Sequence, residues 1–292
     1  MSTNGTITLL VAGDYEARVA SVGASLVSLT FQGRDLILPF DPNVLADGYQ
    51  GRTLVPWPNR VVHGRYVMDG EVLELPVNER ATGSALHGYG SFQPWTPGDV
   101  DGSGGSWELD LPATYGYPFD VVCRVDYVLD ARSGLSVTVT GTNHGSRPAP
   151  FGSGTHPYLT CDRRPLDECT LVVPATQVLL TDERSTPTEL VPVEGDLDLR
   201  EARPFGGRAV DNAYTNLPPG EWSVELTHPE SGSSRMTSNA PWVQVYSAEK
   251  LGRLGAAVEP MTCPPDAFNC DLGAVLLQPS ESRTLRLSLA GV

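Results

Sequence analysis

The segment from Cys123 to Thr140, CRVDYVLDARSGLSVTVT, reads as two successive half-buried strands. Cys123, Val125, Tyr127 and Leu129 share one face of the first, and Leu135, Val137 and Val139 alternate with Ser136, Thr138 and Thr140 in the second. Successive side chains of a strand point to opposite faces, so a period of two marks a sheet with one face in a core. The same period recurs at Trp222, Val224 and Leu226. Tyr66-Val67-Met68 and Val72-Leu73 flank Asp69-Gly70, a dipeptide suited to the primed turn that closes a hairpin. Thr6 to Val11 and Tyr15 to Val19 form a second hairpin around Gly13-Asp14, and Thr284 to Leu289 is the last strand. No stretch longer than about ten residues keeps a helical period free of Gly and Pro, so helices are few and short. The fold class is all-β, a large antiparallel β-sandwich.

Composition agrees with that reading. Gly (30) and Pro (25) are abundant, as short strands joined by turns require, while charged residues make up only 19%. Strands of the same kind lie on both sides of Gly98 to Ser106, which reads as a flexible loop. The expected organisation is therefore one domain over 1–292, with no internal repeat. Acidic residues (35) outnumber basic ones (20), and 19 of the basic residues are arginine. A net charge of −15 repels polyphosphates and anionic headgroups, so neither nucleic acid nor membrane is an expected partner. Met1 to Thr6 lacks the basic and apolar regions of a secretory leader, and the expected location is cytoplasmic. Cys123, Cys161, Cys169, Cys263 and Cys270 are odd in number and form no CxxC pair, which favours free thiols.

Walker A, GxGxxG, GxSxG and HExxH signatures are missing, which removes most cofactor chemistry from consideration. Polar residues instead stand among Gly, Pro and aromatic neighbours, in settings expected at strand ends: Pro58-Asn59-Arg60, Leu86-His87-Gly88, Gly154-Thr155-His156-Pro157-Tyr158, Val210-Asp211-Asn212, Val243-Gln244-Val245 and Val258-Glu259-Pro260. In this order, with VQVYS, VEPMTCPPDAFN and a late Leu-Gln-Pro, they resemble the aldose 1-epimerase (galactose mutarotase) family from about Ile7 to Leu289. The resemblance implies a super-sandwich of the galactose mutarotase kind, holding a free aldose such as glucose or galactose on a concave face. It implies neither a metal nor an organic cofactor, a small-molecule monosaccharide as partner, and a monomer or weak homodimer.

Carried over by motif, His156 corresponds to the general acid and Glu259 to the general base, while Asn59, Arg60, His87, Asp211 and Gln244 correspond to sugar-hydroxyl binders. Anomer interconversion needs one proton taken from the C1 hydroxyl and one delivered to the ring oxygen, so one acid and one base suffice. At their ordinary pKa values Glu259 is a carboxylate and His156 an imidazolium between about pH 4.3 and 6.5, with the two expected on opposite sides of a ring-sized volume. The Trp-Pro-Asn-Arg lead-in and the short HGYGSFQPW loop depart from the family pattern at the sugar-binding rim.

Other readings of the same residues stay open. His156 could be a bonded core residue, Asp211 and Arg60 a structural ion pair, and Gln244 a solvated side chain. His63, His144 and His228 read as surface residues, and Trp57 as core or site wall. A hexose-6-phosphate 1-epimerase would need arginines such as Arg52, Arg65, Arg163 and Arg164 gathered with Arg60. A non-catalytic sugar-binding protein would need neither proton-transfer residue.

Overall fold

The computed structural model describes residues 2–273 and 276–292. Two eight-stranded antiparallel sheets dominate it. In the first, Thr96–Val100, Gly104–Leu111, Val121–Asp130, Gly134–Asn143, Ser282–Gly291, Gly232–Ser238, Trp222–His228 and Thr170–Val172 lie side by side in that order. The opening segment behaves as its period requires: Val125 pairs with Val139 and Tyr127 with Val137, all buried, while Ser136 on the other face is exposed. Both hairpins also form, with Ile7–Ala12 against Tyr15–Ala20 and Arg65–Met68 against Glu71–Glu74.

The second sheet runs Pro187–Pro192, Gln177–Thr181, Asp211–Thr215, Trp242–Tyr246, Ala256–Met261, Gly154–Thr155 and Thr53–Leu54, with Tyr158–Leu159 also paired to Ala256–Met261. One continuous apolar core joins the sheets, containing Trp107, Val125 and Val137 from the first and Val243, Val245 and Val258 from the second. Helical structure is confined to six three-residue 3₁₀ turns among the described residues. No helix among them is long and apolar enough to cross a membrane.

Gly98 to Ser106 is not the loop its composition suggests. Thr96–Val100 and Gly104–Leu111 pair as a hairpin, with Asp101 Oδ1 accepting the Gly104 N–H at 2.7 Å to close the turn. A ladder of backbone hydrogen bonds makes an edge strand even where side chains offer little to bury. All five cysteines are free thiols.

Candidate active site

Gln244 and Glu259 are not at strand ends; they face each other in the middle of the second sheet, as direct cross-strand partners of Trp242–Tyr246 and Ala256–Met261. Alternation sends Val243, Val245 and Val258 into the core and turns Gln244 and Glu259 to the other face. Gly154 pairs with Met261 and Tyr158 with Ala257, and the register between them sets His156 opposite Glu259. Ala213 opposite Gln244 completes one row across four segments. A second row, Asp211, Tyr246, Ala257 and Tyr158, runs beside it. Residues up to 103 positions apart in the chain thereby meet through strand pairing alone.

These rows floor a cleft of about 250 Å³, walled by Tyr49, Asn59, Arg60, Glu79, Leu86, His87 and Lys250 among others. Its size lies just below the ~300–1,000 Å³ of drug-sized ligand pockets, which suits a single small ring. A roomier cleft of about 400 Å³ beside Tyr66, Phe268 and Asp271 has one carboxylate and no histidine in its lining. All seven candidate residues from the sequence line the smaller cleft.

His156 Nε2 and Glu259 Oε1 are 3.3 Å apart and nearly dry, with side-chain exposures of 6% and 3%. They are therefore neighbours on one floor and not on opposite sides of a ring. Tyr49 and Tyr158 lie almost parallel to the His156 imidazole, at 6.3 and 5.0 Å between centroids, and hold its plane. Burial pushes the His156 imidazolium down to about 3. Burial, then the negative charge of Asp211, raise the Glu259 carboxyl well above its usual range, with Arg60 opposing. Desolvation thus works against both charges expected from ordinary pKa values, the carboxylate of Glu259 and the imidazolium of His156.

The Asn59 and His87 wall is built by two adjoining left-handed residues, with φ of +55° and +61°. Such backbone costs roughly 1–3 kcal/mol each and persists where neighbours hold it. Here the Arg60–Val61 and Ala85–Leu86 ladder and the His87 N–H bond to Asn59 O at 2.8 Å hold it. His87 Nδ1 accepts the Asn59 backbone N–H at 3.1 Å, so the proton of the neutral ring resides on Nε2. Burial, then His156 and Arg60, keep His87 well below its usual pKa and therefore neutral. His87, His156 and Glu259 are close enough to suggest a metal site. A ligating histidine gives a lone pair to the metal and donates its other N–H, however, and His87 accepts at Nδ1, so the trio is a poor fit for a metal.

Arg60 is paired with Glu79, not with Asp211: Nε reaches Oε2 at 2.7 Å and Nη2 reaches Oε1 at 2.9 Å. Burial alone would raise the Glu79 carboxyl, but the bonds from Arg60 outweigh it and hold it low. Asp211 Oδ1 accepts from Gln244 Nε2 at 2.7 Å, and Gln244 is buried rather than solvated. Burial between the cleft walls raises the Asp211 carboxyl, opposed by Arg60 and Gln244. His156 Nδ1, Gln244 Oε1 and Glu259 Oε2 are buried without hydrogen-bond partners. Leaving such atoms unmet costs about 1–3 kcal/mol each, so the floor is suited to a ligand rich in hydroxyls.

Several alternative readings end here. Trp57 is in the core, with Nε1 donating to Ala85 O at 3.2 Å. His228 is buried near Glu168, whereas His63 and His144 are exposed. Arg52 is fully buried and donates to Asn4, Val22 and Ser25. Arg65, Arg163 and Arg164 pair with Glu74, Asp35 and Glu230, so among the described residues no arginine cluster gathers at the cleft. Glu79, Tyr49, Tyr246 and Lys250 were not singled out in the sequence. Period two could have found Tyr246, two residues after Gln244; nothing local marks Glu79 or Tyr49.

Known proteins agree with the architecture. The Escherichia coli (strain K12) protein YihR is 39% identical over 293 residues, covering 100% of this chain and 95% of its own. Rat galactose mutarotase is 26% identical over 204 residues, covering 64% of this chain and 58% of its own. The Caenorhabditis elegans GalM/aldose epimerase homologue superposes with a TM-score of 0.88 at 20% identity, covering 98% of this chain and 99% of that one. A model of the aldose 1-epimerase family matches residues 6–290. With that match over nearly the whole chain and the shared fold, the chain belongs to the aldose 1-epimerase family.

Proposed function

We propose that this protein is a cofactor-independent aldose 1-epimerase that interconverts the α and β anomers of a monosaccharide. The observation that carries the reading is the His156 and Glu259 pair, 3.3 Å apart on the floor of a polar cleft. The hydroxyl and the ring oxygen that exchange protons sit on the same carbon, so an acid and a base side by side can reach both. The neighbouring placement serves this chemistry better than one across a ring.

The two groups work with one proton between them. In ring opening the Glu259 carboxylate takes the proton of the C1 hydroxyl, and the C1–O5 bond breaks with its electron pair going to O5. O5 takes a proton from His156 Nε2, leaving a C1 carbonyl, a protonated Glu259 and a neutral His156. Rotation about C1–C2 and reversal of the transfers yield the other anomer. The neutral pair that burial favours is thus the pair of the ring-opened complex, which lowers the cost of opening. Sugar hydroxyls bonded to both groups offset the cost of the charged pair before it. His87 offers an Nε2–H, Arg60 and Asn59 offer donors, and Asp211 and Gln244 offer acceptors to the remaining hydroxyls.

Polarimetry on freshly dissolved α-glucose and α-galactose tests the reading. Glu259→Gln and His156→Asn are each expected to slow mutarotation by about 10²- to 10⁴-fold, while sugar binding by calorimetry persists. Full activity in either variant removes that residue from the mechanism. Binding without any acceleration over buffer would leave the protein a sugar binder.

A further inference from the structure

Glu79 lines the candidate cleft yet has no place among the groups assigned to the sugar. It opens a tight turn, in which its carbonyl accepts the Gly83 N–H at 2.9 Å and its own N–H donates to Ser84 O at 3.2 Å. Asn78, just before it, donates to Leu86 O at 2.9 Å and accepts the Leu86 N–H at 2.6 Å. Those bonds fix the turn to Ala85–Leu86, the strand paired with Arg60–Val61. Glu79 and Arg60 thus belong to one hydrogen-bonded unit of backbone, and their side chains, 20% and 13% exposed, close it with the fork described above.

The fork disposes of the guanidinium almost completely. Nε and one N–H of Nη2 go to Glu79, whose Oε2 also accepts from the Thr82 hydroxyl, and one N–H of Nη1 goes to Asn59 Oδ1 at 3.4 Å. A guanidinium has five N–H groups, so among the described residues two are left for the hydroxyls of a ligand. Arg60 also faces two carboxyls that it does not bond. Its charge opposes the burial that raises Asp211, and it opposes the burial and the Asp211 charge that together raise Glu259. Released from Glu79, the guanidinium would have these floor carboxyls as its next partners, in a cleft dry enough for opposite charges to attract strongly. A bond to Asp211 would take an acceptor from the sugar, and a bond to Glu259 would occupy the base.

We propose that Glu79 is a positioning residue of this site: it holds the Arg60 guanidinium in the cleft wall, leaving Asp211 to bond a sugar hydroxyl and Glu259 to exchange the proton. The proposal rests on the epimerase reading above. Glu79 acts through Arg60 and meets neither the C1 hydroxyl nor the ring oxygen. A carboxylate that merely stapled the turn from Glu79 to Ser84 would tie activity to folding, whereas a positioning carboxylate separates the two.

Mutarotation of glucose and galactose by polarimetry, with folding followed by urea denaturation, tests it on the full chain. Glu79→Gln keeps the shape and loses the charge; it should lower kcat by about 10- to 100-fold at an unchanged folded fraction, and Glu79→Asp should recover most of the loss. The pH profile supplies a second readout. Glu259 is faced by His156, Asp211, Arg60 and Tyr158, and Glu79 by Arg60, Lys250 and Tyr49. Unanswered positive charge on Arg60 favours the Glu259 carboxylate, so the alkaline limb of Glu79→Gln should lie about one pH unit or more below that of the unmodified protein. In an Arg60→Gln background, adding Glu79→Gln should change kcat by less than about threefold, because no guanidinium remains to be held. That comparison also serves if Glu79→Gln alone does not fold, since the double variant leaves neither charge unpaired. Unchanged kcat in Glu79→Gln, a loss that only follows the unfolded fraction with the limb unmoved, or an undiminished loss in the Arg60→Gln background overturns the proposal. If the unmodified protein accelerates no sugar, the epimerase reading fails and this inference with it; acceleration together with any of those three results sinks the inference alone.

Discussion

Glu259 occupies a position where a carboxylate has little support. Two small apolar clusters flank it on its face of the sheet, Leu38, Tyr158 and Ala257 on one side and Leu179, Ala213, Trp242 and Met261 on the other. Desolvation there disfavours its charge, just as it disfavours the charge of His156, so the pair keeps one proton over a wide range. The sign of each shift sets the limits. A second proton must enter His156, whose value lies at about 3 rather than near 6.5. The shared proton leaves only above the ordinary carboxylate range, because the Glu259 value is raised. The mutarotation rate of the unmodified protein is therefore expected to fall on the acid side only below about pH 4. Polarimetry in a buffer series checks this, and an acid limb centred near 6.5, the value of a solvated histidine, would contradict it.

Among the elements, strand register places the floor while a short loop places the wall. Any slip of Trp242–Tyr246 by one residue would exchange Gln244 for Val243 or Val245 on the cleft face. The His87 loop depends instead on Gly88, which has φ +67° and whose added Cβ would lie 2.1 Å from Val55 O and 2.4 Å from Val55 C. Backbone cannot move aside cheaply there. Gly88→Ala is expected to cost about 2 kcal/mol or more in stability, from strain and clash together. Urea denaturation measures that loss. Because the same shift carries His87 away from Asn59, polarimetry should show a larger proportional loss of activity than of folded protein at 25 °C.

For the molecule as a whole, the first sheet supplies a support that holds no part of the proposed chemistry. Leu285, opposite Val139 in that sheet and 1% exposed, belongs to the core shared with Val243 and Val258. Leu285→Ala removes buried methyl groups and leaves a cavity, at a cost of about 2–5 kcal/mol. The expected result is a lower urea midpoint with mutarotation per folded molecule nearly unchanged. A selective loss of activity at full stability would show that the first sheet acts on the site directly.

The chain alone carried the all-β class, its hairpins and its long amphipathic strands, because period two and turn dipeptides are local signals, while the seven cleft residues came through the family resemblance of its ordered motifs. Cys123 to Leu129 and Leu135 to Val139 were legible since one face of that sheet meets the core and the other meets water. Trp242–Tyr246 and Ala256–Met261 were less so: Gln244 and Glu259 are buried on the face opposite the core, and with both faces covered the alternation of polarity no longer reports burial. Pairings set by the assembled sheet decided the rest. They brought Glu79 onto Arg60 in place of Asp211 and put His156 beside Glu259. Desolvation then disfavoured the charges that isolated side chains would carry. Register, distance and dielectric belong to chain segments far apart in sequence, and no local pattern encodes them.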